Sequence, residues 1–426
     1  MSIFISNVLF ENKKNNILIE NNKISYIGSQ TKKANITIDG KNKAALPTLV
    51  NGHTHAAMTI FRGYGDDMPL MEWLQKKIWP AEALLSEEDV YLGTKLACLE
   101  MIKSGTTLFN DMYWHFNGTA RAVEEMGIRS IISAVFIDLG NKEKAKEEII
   151  ANEKLFNESK RYSDRIKYAL GPHAIYTVSG ESLKWVADFA KQNNLLIHIH
   201  LSETETEVIN CLKEHNMRPV KYLESLNFLG PNVIACHSVW LDDEELDILK
   251  KYDVKLVHNP TSNFKLAGGK IFRYPEVAKR GLGFCVGTDG CASNNNLDML
   301  ESIKFAALIQ KWANNDPTIL PCHDIWNFCT KEAHNYFGVD AGVLAEGKLA
   351  DIMLVDLMTP SMVPNYNTIS NMVYSANGSV VDTLICDGKI LMQNRYVPGE
   401  EEILEAVSLK FGAKNVSQSN PTIPKS

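Results

Sequence analysis

Apolar and polar positions follow two different rhythms along this chain. Over the first 45 or so residues, short runs at 3–9, 16–20, 23–28 and 35–39 carry the two-residue alternation of half-buried strands and are separated by turn-forming residues. They predict a small antiparallel sheet. From about Ala44 to about Phe337 the runs become short apolar strands, at 106–109, 130–135, 167–170, 195–201, 233–235, 255–257 and 283–286. Longer amphipathic stretches such as 87–103, 181–193, 242–252 and 298–312 lie between or after them. The run from Ala44 to Val50, closed by an Asn51-Gly52 turn, supplies one more strand. Eight strand–helix repeats predict an α/β fold built on a (β/α)8 barrel. Beyond it, GKLADIMLVD, DTLICDG and KILMQNRYV return to short strands without helical crossovers. The two chain ends are therefore expected to join in one composite β-sandwich domain, residues 1–48 and 346–426, beside a barrel spanning 49–345. The closing KNVSQSNPTIPKS, polar and proline-containing, is expected to fray.

Composition narrows the function without naming it. A length of 426 residues suits one large barrel plus a smaller unit. A net charge of -7 with no basic stripe argues against nucleic acid and anionic membranes, leaving small molecules or other copies of the chain in a homo-oligomer as partners. No apolar run is long enough to span a membrane, and the N-terminus lacks the order of a secretory signal. Eight cysteines without a CxxC spacing read as reduced thiols in a cytoplasmic protein.

The candidate chemistry sits where a barrel of this kind places it, at the C-terminal ends of strands. His53 and His55, two residues apart on an extended segment, point the same way. His173 follows the strand at 167–170, His198 and His200 lie in LLIHIHLSE, His237 follows VIAC, and Asp289 follows FCVGT. Singly, His173 and His237 are common structural histidines and Asp289 a common turn former. Together, at five strand ends, they point to a shared site. Neutral imidazoles with one carboxylate suit one divalent ion, zinc first, with a position left for water. Such an ion brings water's pKa toward neutrality. Glu203, three residues beyond His200, is close enough to take and return a proton, and His237 and Asp289 to hold the nucleophile. His198 shares a strand face with His200 but lies deeper in the barrel. His258 in HNPTSN is loop-borne near the site, and His115, His215 and His323 read as solvated or structural.

The order of these residues resembles the amidohydrolase superfamily across nearly the whole chain. The similarity is specifically to 5′-methylthioadenosine/S-adenosylhomocysteine deaminases, through NGHTHAAMTIFRGYGDDMPLMEWL, GPHAIYTVS, IHIHLSETETEV, HSVWLDDEE, HNPTSNFKLAGG and GTDGCASNNNLDMLE. The resemblance implies His53, His55, His200 and Asp289 as metal ligands and Glu203 as the proton shuttle. It implies that His237 orients the attacking water, that His173 contacts the purine, and that Glu82 accepts hydrogen bonds from the ribose. Binuclear members carry a lysine where this chain has His173, so one metal is implied. The implied reaction is hydrolytic deamination of a nucleoside, an adenosine with a 5′ substituent. No arginine follows the third strand to fork onto a homocysteine carboxylate, which favours other 5′ substituents. Trp73, with Phe61, Tyr64 and Trp79, follows the first strand, where these rings either stack over the substrate or pack the core of a short helix, and the Gly65–Met68 stretch reads as a lid or a solvated turn. Two alternatives remain: the same site acting on another amino- or chloro-substituted ring, such as guanine or a triazine, and a noncatalytic scaffold.

Overall fold

The computed structural model describes residues 1–412, so the expected fraying of KNVSQSNPTIPKS lies outside the described residues. Strands β1 (Ser2–Phe10), β2 (Lys13–Glu20) and β3 (Lys23–Gly28) form an antiparallel meander. Strands β4 (Ile36–Asp39) and β5 (Lys43–Pro47) then both run parallel to β1. The N-terminal sheet is thus mixed where alternation alone predicted an antiparallel one. Alternation fixes which face a residue takes, not the direction of its partner strand. Here residues 29–35 carry the chain back to the start of β1, where the Asn35 side chain accepts a hydrogen bond from the Ser2 backbone.

The barrel follows in chain order: β6 (Leu49–Thr54), β7 (Thr106–Tyr113), β8 (Arg129–Phe136), β9 (Ile166–Pro172), β10 (Ile197–Leu201), β11 (Val233–His237), β12 (Lys255–His258) and β13 (Phe284–Val286). Each strand pairs in parallel with the next. Helices such as Glu87–Lys103, opened by a Ser86/Asp89 capping box, cover the outside. Val50, Leu108, Ile131 and Val257 plug the interior.

The expected Asn51-Gly52 turn does not form, because β6 continues through Thr54. A Cβ at Gly52 would meet Cys285 Sγ at 2.5 Å, so the glycine answers to close approach across the barrel rather than to a turn. Asn51 closes the seam between the last strand and the first: its Oδ1 accepts from Thr288 N at 3.0 Å and its Nδ2 donates to Thr288 Oγ1 at 2.7 Å. Next to it, Asp289 N donates to His53 O at 3.0 Å.

After the barrel, β14 (Ile352–Asp356) lies antiparallel to β5, and β15 (Val381–Cys386) and β16 (Lys389–Met392) extend the same sheet. Both chain ends therefore share one mixed eight-stranded sheet around its own core of Ile3, Ile17, Ile38 and Ile352. The tail is less purely β than its sequence suggested. Helix Thr368–Tyr374 interrupts it, and helix Glu400–Phe411 returns to the barrel through a Lys103–Glu400 ion pair of 2.7 Å.

A buried joint couples sheet and barrel. Arg129, at the start of β8, grips Asp351 with Nε and Nη2 at 2.8 and 3.1 Å and reaches Asp387 at 2.8 Å. Breaking a buried pair leaves an uncompensated charge, so Arg129→Met is expected to destabilise the protein by about 3–5 kcal/mol. Burial alone would raise the Asp387 carboxyl, but Arg129 holds it below its usual range. Its stabilising contribution is therefore present above about pH 4 and lost as pH falls through the folded value. A pH series of melting temperatures should show a shallower acid limb in the variant. An unchanged melting temperature would count against the joint.

Candidate active site

The strand ends carry their side chains into one cavity of about 690 Å³, whose lining includes His55, His173, His200, Glu203, His237 and Asp289 together with Trp73 and Glu82. Its size suits a nucleoside. His53 lies just beneath, fully buried.

Tautomers are fixed by the backbone. His55 Nδ1 lies 2.6 Å from Met112 O and His200 Nδ1 lies 2.8 Å from His173 O. A carbonyl only accepts, so both Nδ1 atoms carry the proton and both Nε2 atoms present bare lone pairs. Those two Nε2 atoms are 3.4 Å apart. Asp289 Oδ1 sits 3.2 Å from His53 Nε2 and 3.3 Å from His55 Nε2, while its other oxygen is taken by the hydroxyls of Ser262 and Ser293 at 2.6 and 2.9 Å. His53 Nε2 itself is buried without a hydrogen-bond partner. Lone pairs and a carboxylate oxygen facing one another at these separations repel unless a cation lies among them. Donors about 2.1 Å from a tetrahedral zinc lie about 3.4 Å apart, which is the observed spacing.

Electrostatics agree with that donor set. Burial drives the His53 imidazole down to about 4 even with Asp289 beside it, and burial holds His200 well below its ordinary value, so both stay neutral. Burial would raise the Asp289 carboxyl, but the neighbouring His53 and the His55 and His237 imidazoles hold it well below the usual range. Burial, reinforced by the charge of Asp289, pushes Glu203 up to about 8. A carboxyl there can both accept and donate a proton near neutral pH.

Glu203 Oε1 lies 3.7 Å from His237 Nδ1, which Asn263 Nδ2 approaches at 3.0 Å. Burial lowers His237 to about 4 and His173 to about 3. His237 and Asp289 both adopt positive φ, 67° and 62°, a backbone conformation rare outside glycine and concentrated at functional sites. A Cβ at Gly287 would come within 2.7 Å of His53 N, so only glycine lets the last strand bring Asp289 this close.

Burial raises the Glu82 carboxyl, an effect that the Tyr113 hydroxyl and His55 partly offset. Trp73 is buried at the cavity edge, whereas Trp79 is 40% exposed. His198 does not line the cavity and contacts His53 from below. His258 is buried against Phe272 and His323 touches Asn367, both away from the cavity. His115, read from sequence as solvated or structural, lines the cavity mouth with Nε2 3.0 Å from Leu85 O.

Sequence reasoning passed over Glu207. Its two oxygens accept from Ser202 N and Glu203 N at 2.8 and 2.9 Å, which pins the backbone that carries Glu203. Its place three residues after the helix-capping Thr204 was the available signal. Ser262, Asn263 and Ser293 were also missed, although they lie in the HNPTSNFKLAGG and GTDGCASNNNLDMLE segments that carry the resemblance.

Residues 44–391 match the model of the amidohydrolase family. The chain belongs to the amidohydrolase family. This amidohydrolase is 47% identical over 410 residues to a 5′-deoxyadenosine deaminase of Methanoregula boonei, covering 95% of this chain and 93% of the relative. It is 46% identical over 392 residues to a 5-methylthioadenosine/S-adenosylhomocysteine deaminase of Archaeoglobus fulgidus, covering 92% of each. Among solved structures, an adenosine deaminase from Xanthomonas campestris with bound zinc superposes with a TM-score of 0.91 at 29% identity, over 98% of each chain.

Proposed function

We propose that this amidohydrolase is a hydrolytic deaminase of 5′-substituted adenosines, with one divalent ion, zinc first, held by His53, His55, His200 and Asp289. The observation that carries the reading is the pair of backbone-locked Nε2 lone pairs 3.4 Å apart beside Asp289, on the wall of a nucleoside-sized cavity. The 5′-deoxyadenosine and 5-methylthioadenosine/S-adenosylhomocysteine deaminases it resembles support the substrate class. A divalent ion in that position supplies the Lewis acidity that makes water a nucleophile near neutral pH.

The chain's own residues do the rest. Glu203 takes the proton released by the attacking water and passes it to the ring nitrogen beside the amino-bearing carbon. His237 faces the same carboxyl and orients the water, so attack comes from one side of the ring. Glu203, now a carboxylate, then takes the proton of the hydroxyl just added to that carbon and gives it to the amino group, so that the C–N bond breaks, ammonia leaves and the ring keeps a carbonyl. His173 contacts the purine, Trp73 packs on it, and Glu82 accepts hydrogen bonds from the ribose hydroxyls. Residues 49–345 carry this site, and 1–48 with the described residues from 346 to 412 form the supporting domain. Eight free cysteines among the described residues fit a place in the reducing cytoplasm.

Ammonia release from 5′-deoxyadenosine, 5′-methylthioadenosine, S-adenosylhomocysteine, adenosine and guanine tests the reading. Adenine nucleosides should be turned over and guanine should not, and the reverse order would overturn it. Losing a charged acceptor for two ribose hydroxyls should make Glu82→Ala about 100-fold weaker in kcat/KM for the nucleosides. An unchanged value would remove Glu82 from the substrate site.

A further inference from the structure

Beneath the converging Nε2 atoms lies a second cluster of possible ligands that deamination does not use: His53 Nδ1, His198 Nε2 and Cys236 Sγ, all fully buried. It is either a second cation site, with His53 as a bridge, or a hydrogen-bond relay. Distances decide between them. His53 Nδ1 is 2.8 Å from His198 Nε2, and that nitrogen is 3.0 Å from Cys236 Sγ. Two nitrogens on one tetrahedral ion sit about 3.4 Å apart and a nitrogen and a sulfur about 3.6 Å. The observed 2.8 Å is too short for that and is the length of a hydrogen bond.

The direction of the relay follows from chemistry. His53 Nε2 must be bare to bind a cation, so its proton resides on Nδ1 and points at His198. His198 Nε2 is then the acceptor, and its own proton sits on Nδ1, 3.1 Å from Ser133 Oγ. We propose that His198 is a positioning residue: it accepts the His53 Nδ1 proton and thereby fixes the tautomer and ring plane that aim His53 Nε2 at the centre. This rests on the reading of His53 as a metal ligand. His198 and His200 on β10 thus serve one site from two depths. A neutral imidazole in this position strengthens His53 as a donor without adding negative charge, so Asp289 remains the single carboxylate and the ion keeps its acidity.

The test is zinc affinity, measured by competition with a chromophoric chelator on the full-length protein. His198→Leu fills the space but cannot accept a hydrogen bond, and zinc binding should weaken about 10–100-fold. His198→Gln, whose amide oxygen reaches the place of Nε2, should recover most of that loss. Ser133→Ala should lose less, in the same direction, and it decides the matter if the apoprotein of His198→Leu does not show a cooperative melt. Equal zinc affinity in His198→Leu and wild type, an equal loss in the leucine and glutamine variants, or an unmoved Ser133→Ala where leucine does not fold would each overturn the proposal. A wild-type protein that binds no zinc would instead overturn the metal-site reading beneath it, and this inference with it.

Discussion

Glu203→Gln is expected to lower kcat about 1000-fold while leaving KM and zinc content near the wild-type values. The amide occupies the same space but carries no exchangeable acid proton, so neither transfer to the ring nor transfer to the leaving amine has a carrier. The size of the loss follows from how closely the structure fixes this group. Glu207 pins its backbone, His237 stands 3.7 Å from its oxygen, and burial with Asp289 sets the carboxyl at about 8. Steady-state kinetics with an adenine nucleoside, alongside metal analysis, separates the outcomes. Activity within tenfold of wild type would place the proton shuttle elsewhere, and a parallel loss of zinc would show that the glutamine disturbs the ligands instead.

Removing the ion should be the larger perturbation. Exhaustive chelation is expected to abolish ammonia release and to lower the melting temperature, with both restored by added zinc. A ligand present at a thousand times its dissociation constant stabilises the folded state by about 4 kcal/mol. In the proposed site, the Nε2 atoms of His55 and His200 lie 3.4 Å apart, and a cation between them would offset the repulsion of their lone pairs. Asp289→Ala should mimic chelation and resist rescue by zinc at ordinary concentrations. Full turnover after chelation, or a melting temperature indifferent to zinc, would remove the metal from the reaction.

Much of this site was legible because a barrel converts sequence order into spatial order. A polar residue just past an apolar strand falls at the same rim as every other such residue, so His53, His55, His173, His200, His237 and Asp289 could be placed together without coordinates. What escaped depends on contacts that cross the chain. Ser262 and Ser293 hold one oxygen of Asp289 and Asn263 approaches His237, yet each looks like an ordinary polar residue in a helix or loop. Asn51-Gly52 misled for a related reason. The pair has the composition of a turn, but Gly52 makes room for Cys285 and Asn51 bonds to Thr288, partners more than 230 positions away. Within the small sheet, the alternation placed strands near β1 and β4 and said nothing about their being parallel.

The seam bridged by Asn51 has one more consequence. The strands on either side of it carry His53 and His55 on one edge and Asp289 on the other, so a cation bound by all three would tie together the two ends of the barrel's strand order. Binding of the proposed ion and closure of this seam would then favour one another.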